Sequence, residues 1–179
     1  NTAYYELKVP STGKTIEYRP FLVKEEKILL MALEGEEEKE MAKAIKQILS
    51  QCILTKNFKI DNLALVDVEY IFLKVRGKAV GDKSKIFIVC TECENKVEIE
   101  LDLEEIKIDT HKDHTDLIKL TDDIQVRMVP PKMEYLMATV SKNQIDIVMD
   151  VIRDSISEII QGKEIFSAQD HTREELEEF

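Results

Sequence analysis

The sequence predicts an α+β fold, and three observations carry that expectation. Residues 4–19 and 85–129 alternate apolar and polar side chains around turn-forming clusters. Residues 24–53 repeat apolar side chains at helical spacing on either side of Gly35. A third stretch from Asp61 to about Val75 is apolar nearly all the way round, as a helix central to a fold would be.

The elements follow in order. Tyr5, Leu7 and Val9 alternate with polar neighbours, Pro10-Ser11-Thr12-Gly13 supplies turn chemistry, and Thr15 to Arg19 returns, so 4–19 is a β-hairpin that Pro20 ends. From Lys24 the pattern is helical until Gly35. A second helix follows from about Glu36, with Met41, Ile45, Ile48, Leu49, Cys52 and Ile53 on one face. Its opening glutamates suit the positive end of a helix dipole and read as a solvated helix start. Asp61 is placed to cap a third helix, which Gly77 and Gly81 end.

Lys85–Val89 and Lys96–Leu101 then read as strands joined by Cys90-Thr91-Glu92-Cys93-Glu94-Asn95. Val97, Ile99 and Leu101 are expected to face inward. Leu117–Leu120 and Ile124–Val129 form a second hairpin around Thr121-Asp122-Asp123. Pro130 and Pro131 stop it, and Pro131 begins a helix through Met137. Gln144–Asp154 is helical, and 156–167 forms a small hairpin turning at Gln161-Gly162-Lys163. Thr172-Arg173-Glu174-Glu175 is a capping-box pattern. The helix it opens has barely begun at Phe179, so further chain is expected there, as it is before Asn1. These elements divide into 1–81, hairpin plus helices; 82–131, β-rich with the Cys-x-x-Cys knuckle; and 132–179, mainly helical. Together they are expected to form one compact unit.

At 179 residues the chain is long enough for a core without disulfide staples. Its 44% hydrophobic and 34% charged content is that of a globular protein. The net charge of −11 opposes phosphate binding and repels anionic membranes. No apolar run approaches the ~18 residues of a membrane-spanning helix. The sequence thus implies no nucleic-acid, membrane or small-molecule partner. Three cysteines, two of them in Cys-x-x-Cys, are not a secreted disulfide framework and fit a reducing cytoplasm.

Cys90 and Cys93 in a hairpin turn have the arrangement of a zinc knuckle. His111 and His114, in the acidic stretch 109–116, are the nearby candidates for the other two ligands of a tetrahedral zinc site. The alternative is a turn whose cysteines bind nothing and two exposed histidines. Redox use of the pair is disfavoured, because the pair lies between strands and not at a helix N-terminus, and Glu92 and Glu94 oppose thiolate formation. Cys52, on an apolar helix face, reads as a small buried hydrophobe. No phosphate-loop, dinucleotide, zincin or nucleophile-elbow pattern is present, and no catalytic residue is expected.

The run Tyr18-Arg19-Pro20-Phe21-Leu22-Val23-Lys24-Glu25-Glu26-Lys27, preceded by Pro10-Ser11-Thr12-Gly13-Lys14, resembles the start of the baseplate hub family of T-even-like contractile-tailed phages. Leu120-Thr121-Asp122-Asp123-Ile124 with Val129-Pro130-Pro131 is similar to that family's middle. Asp170-His171-Thr172-Arg173-Glu174-Glu175-Leu176-Glu177-Glu178-Phe179 is similar to the opening of its C-terminal helical segment. The resemblance implies a non-enzymatic structural or assembly protein of the tail baseplate hub. Its partners would be other hub or tail proteins, in the host cytoplasm during assembly and in the virion tail. The residues themselves leave two readings of Arg19, Pro20 and Phe21. They are an exposed recognition edge for a partner, or Phe21, Leu22 and Val23 pack on the following helix, which is favoured for Phe21. A zinc-stabilised nucleic-acid-binding or general protein-interaction module is the alternative function, and the net charge weighs against its nucleic-acid form.

Overall fold

The computed structural model describes residues 3–35, 38–109, 111–133, 143–172 and 175–176. Its elements are mixed helix and strand in small sheets, an α+β fold. The chain divides into two compact units, Asn1–Asp109 and Thr110–Phe179. The division falls in the acidic stretch 109–116. The knuckle hairpin belongs to the first unit because the chain beyond it is fastened to the third helix, as described below.

In the first unit β1 (Tyr5–Lys8) pairs antiparallel with β2 (Thr15–Tyr18), Leu7 opposite Ile16. Ile16 and Tyr18 are buried and Thr15 and Glu17 exposed, the period of two that the sequence carries. Through Arg19–Leu22 the chain enters α1 (Val23–Glu34). The corner is held by a fully buried carboxylate. Glu25 accepts hydrogen bonds from the Leu22 backbone N–H at 2.7 Å and from the Arg19 guanidinium at 2.9 Å. Arg19 also donates to the Pro20 carbonyl at 2.9 Å. Burial by itself raises the Glu25 pKa, but the hydrogen bonds from Arg19, Leu22 N–H and Lys24 outweigh it and hold the group at about 2.

Helix α2 (Glu38–Cys52) packs on α1 and buries Ala42, Ala44, Ile48, Leu49 and Cys52. Its end is tied to β2 by Arg19 N–H to the Cys52 carbonyl at 2.9 Å and Leu54 N–H to the Glu17 carbonyl at 2.8 Å. A 3-10 turn, Ile60–Asn62, precedes α3 (Leu65–Val80). Asp61 does not cap that helix. Leu63 and Ala64 are extended, which starts the helix beyond its reach, and Asp61 pairs with Lys46. Gly77 does not end the helix either. It lies inside α3 at a close approach, where an added Cβ would meet Asp82 Oδ1 at 3.4 Å and Leu103 Cβ at 3.8 Å. Gly81 ends it, with φ of 123°, a backbone region that side chains bearing a Cβ rarely adopt.

Two buried polar side chains fasten other segments to α3. Asp67 accepts from the Ser11 backbone N–H at 2.9 Å and from the Ser11 hydroxyl, pinning the β1–β2 turn. Lys74 donates to the carbonyls of Leu103 at 2.8 Å and Glu104 at 2.9 Å and lies over the Tyr70 ring. Between Gly81 and Leu103 runs the hairpin of β3 (Lys83–Val89) and β4 (Lys96–Asp102).

The second unit is one antiparallel sheet in the order β5 (Leu117–Lys119), β6 (Ile124–Met128), β7 (Ile156–Gln161), β8 (Glu164–Ser167). The two hairpins expected at 117–129 and 156–167 therefore join along β6 and β7, with Val126 opposite Ile159. The C-terminal part thus contributes strands as well as helix. Helix α4 (Gln144–Asp154) lies between those strands in sequence, capped by the Asn143 side chain accepting from Asp146 N–H at 3.0 Å. Val126, Met133 and Ile159 are buried. Arg127 bridges the sheet ionically, to Glu158 on β7 at 2.9 Å and Asp116 before β5 at 2.8 Å. Gly162 turns β7 into β8 with φ of 59°. The helix expected over 131–137 falls mostly outside the described residues. The capping box is present as reciprocal bonds between Thr172 and Glu175.

Because the folded-state pKa of Glu25 lies below its ordinary 4.5, its stabilisation is complete above about pH 5 and is lost as the pH falls towards 2. Glu25→Gln is expected to cost on the order of 1–3 kcal/mol at neutral pH and to flatten the acid limb of the melting temperature. Thermal melts of both proteins from pH 2 to 7 check this. Gly81→Ala is expected to lose about 1–2 kcal/mol of stability in denaturant unfolding, through strain at a positive φ.

Candidate functional site: an uncovered hairpin with a thiol pair in its turn

Strands β3 and β4 form a sheet of two. Strict alternation with the observed register sorts their side chains onto two faces. Ile86 lies opposite Ile99 and Ile88 opposite Val97, so one face is apolar. The other carries Lys83, Lys85, Glu98 and Glu100, paired as Lys83–Glu100 and Lys85–Glu98 at 2.6 Å each, together with Phe87 and Val89. Every residue from Lys85 to Glu100 except half-buried Cys90 is exposed. The expected inward face is therefore present in pattern but uncovered: Val97 is 52% exposed and Ile88 47%, and only Leu101 begins to be buried. An apolar face of this kind is a recognised mark of protein–protein contact.

A second uncovered stripe lies on α4. Ile145, Val148, Met149 and Ile152 are exposed at helical spacing, and Arg153 on the same helix is buried against Asp150 and Asp154. In both places the sequence shows the periodicity, but periodicity does not tell a covered face from an open one.

The hairpin turn is built by two backbone hydrogen bonds, Cys90 N–H to the Asn95 carbonyl at 2.9 Å and Glu94 N–H to the Cys90 carbonyl at 3.0 Å. Glu94 takes a positive φ of 56°, which brings the chain back over Cys90. The backbone N–H groups of Cys93 and Glu92 and the Cys93 side chain, close by in the turn, draw the Cys90 thiol below its ordinary pKa. Both thiols are free. Cys52 is also free but fully buried, and burial pushes its pKa up to about 11.

His111 and His114 share one turn, with His114 N–H donating to the His111 carbonyl at 3.0 Å, and both are exposed. The cysteine pair belongs to the first unit and the histidine pair to the second. Among the described residues no group of three or more His, Cys, Asp or Glu side chains is placed to hold a metal ion. Of the Arg19-Pro20-Phe21 run, Arg19 is turned onto Glu25 with its side chain 15% exposed, Pro20 is half-buried and Phe21 is buried, whereas Leu22 and Val23 are exposed.

Open apolar faces on a hairpin and a helix are the features of a chain that contacts other proteins. No helix among the described residues is long and apolar enough to cross a membrane. The family model described as T4 bacteriophage base plate protein matches residues 2–179, and the chain belongs to that family. It is a phage baseplate structural protein, a component of the viral tail among other tail and baseplate proteins. No curated protein and no solved structure matches it.

The environments of the three thiols predict different reactivities. In the native protein Cys90 and Cys93 are expected to react with a small disulfide reagent, and Cys52 only after unfolding. Thiol titration with and without denaturant checks this, and modification of Cys52 in the native protein would contradict its burial.

Proposed function

We propose that this chain acts without enzymatic activity in forming the baseplate hub, and that it holds a neighbouring tail or baseplate protein against the apolar face of the β3–β4 hairpin. The observation that carries this reading is the uncovered face formed by Ile86, Ile88, Val97 and Ile99. A two-stranded hairpin is marginal in water on its own, so a partner that covers it gains buried apolar area and orders the hairpin at once. The salt-bridged pairs on the other face favour contact through one side only, since charged side chains oppose edge and face association. Assembly would begin in the host cytoplasm, where tail parts are made.

Quantifying the chain by mass spectrometry in tail-assembly intermediates and in finished particles tests the role. A fixed stoichiometry in both is expected of a hub component. Presence in intermediates alone would make it an assembly chaperone, and absence from both would overturn the hub reading. Ile88→Thr with Val97→Thr is expected to leave stability within about 0.5 kcal/mol, because both positions are exposed and threonine suits a strand. It should weaken capture of baseplate partners tenfold or more, about 1.4 kcal/mol. Unchanged capture would remove the hairpin from the contact.

A further inference from the structure

We propose that the outer edge of β3 accepts an extended segment of a neighbouring tail or baseplate protein as a third strand. This rests on the docking reading above and states by which bonds the partner is held. The parity of the ladder identifies the free groups. Cys90 N–H bonds to the Asn95 carbonyl and Leu103 N–H to the Asp82 carbonyl, so the hydrogen-bonded pairs of β3 fall at its even positions, Ser84, Ile86 and Ile88. The N–H and C=O groups of Lys83, Lys85, Phe87 and Val89 therefore point away from β4. Among the described residues no other strand or loop takes them. The first hairpin is built differently. Glu17, at an outward position of β2, uses both backbone groups: its N–H donates to Thr55 Oγ1 at 2.8 Å and its carbonyl accepts from Leu54 N–H at 2.8 Å.

The two edges of the β3–β4 hairpin are not equivalent. The outward positions of β4 are Lys96, Glu98, Glu100 and Asp102, and charge at each of them opposes strand addition. On β3 the salt-bridged lysines stop at Lys85. Ile86, Phe87, Ile88 and Val89 are all exposed, and the ladder through them has no proline and no register shift. A run apolar on both faces is the pattern of an interior strand, whereas β3 lies at an edge. A strand added there makes it interior. Side-chain chemistry selects the occupant. It is apolar beside Ile86 and Ile88 on one face and beside Phe87 and Val89 on the other. Where it passes Lys83 and Lys85 it carries an acidic residue, since opposite charges on adjacent strands attract. β3 itself contains no acidic residue, and two copies of this chain would each bring a net charge of −11, so a second copy matches the edge poorly.

The test is amide hydrogen exchange of the full chain, read residue by residue, alone and with short synthetic peptides tiling the other tail and baseplate proteins of the same phage. In the free chain the Ile86 and Ile88 amides are expected to exchange slowly and those of Phe87 and Val89 fast. A peptide that binds as proposed slows Phe87 and Val89 by at least about tenfold. Phe87→Pro removes one outward N–H and leaves the inward ladder intact, and Phe87→Thr keeps that N–H. The proline variant is expected to bind the peptide at least about tenfold more weakly than the threonine variant. Slow exchange at Ile86 and Ile88 checks that its hairpin is formed, and the wild-type exchange result decides the matter if it is not. No peptide protecting Phe87 and Val89 would overturn the proposal. So would equal loss in both variants, which indicates a side-chain contact, or protection that grows with the concentration of the chain alone, which indicates a second copy. If Ile88→Thr/Val97→Thr weakens partner capture and Phe87→Pro does not, the apolar face remains the docking surface and strand addition falls. If neither does, both readings fall.

Discussion

The packing of the first unit depends on a carboxylate that has been taken out of water. Glu25 is fully buried, and such a charge is tolerable only if its oxygens are satisfied. The Arg19 guanidinium and the Leu22 N–H satisfy them, and both come from the four residues that link β2 to α1. The angle between hairpin and helix is therefore set by electrostatics before any apolar contact is counted. Arg19 is committed twice, since its backbone N–H also holds the end of α2. Hairpin, α1 and α2 meet at this one residue, and Phe21, two positions on, is buried.

A similar logic recurs along α3. Asp67 and Lys74 sit about two turns apart on one helix and face opposite chemical needs. The carboxylate takes the free donors of a turn, and the ammonium takes the free carbonyls of the chain leaving β4. Both spend a charged group on irregular backbone whose polar atoms would otherwise be buried without partners. A helix with an apolar majority can thereby organise loops as well as strands.

Much of this architecture was legible in the sequence, and the misses have a common cause. Alternation over 4–19, 85–101 and 117–129 located strands, and the spacing of Ile45, Ile48, Leu49 and Cys52 located a helix face. Local pattern fixes local geometry. Asp61 misled because a cap is recognised by its distance to the helix start, and the extended Leu63 and Ala64 moved that start. Gly77 misled because a glycine can mark a close approach as well as a stop, and the side chains it approaches, Asp82 and the more distant Leu103, come from beyond the helix. The open faces of the hairpin and of α4 were unreadable for the same reason. Whether an apolar stripe is covered is decided by distant chain. Cys90 and Cys93 were legible as a pair, and the turn that joins them was foreseeable from its length.

The β3–β4 hairpin also bears on the timing of folding. Its strands are joined by six residues, so its contacts are local and close within microseconds of both strands being available. Strands β6 and β7 are separated by the whole of residues 129–155, so the sheet of the second unit needs a far longer loop closure. During synthesis from the N-terminus, both strands of this hairpin are available well before those of the second sheet. A partner that docks as proposed would meet both strands while the second unit is still being translated.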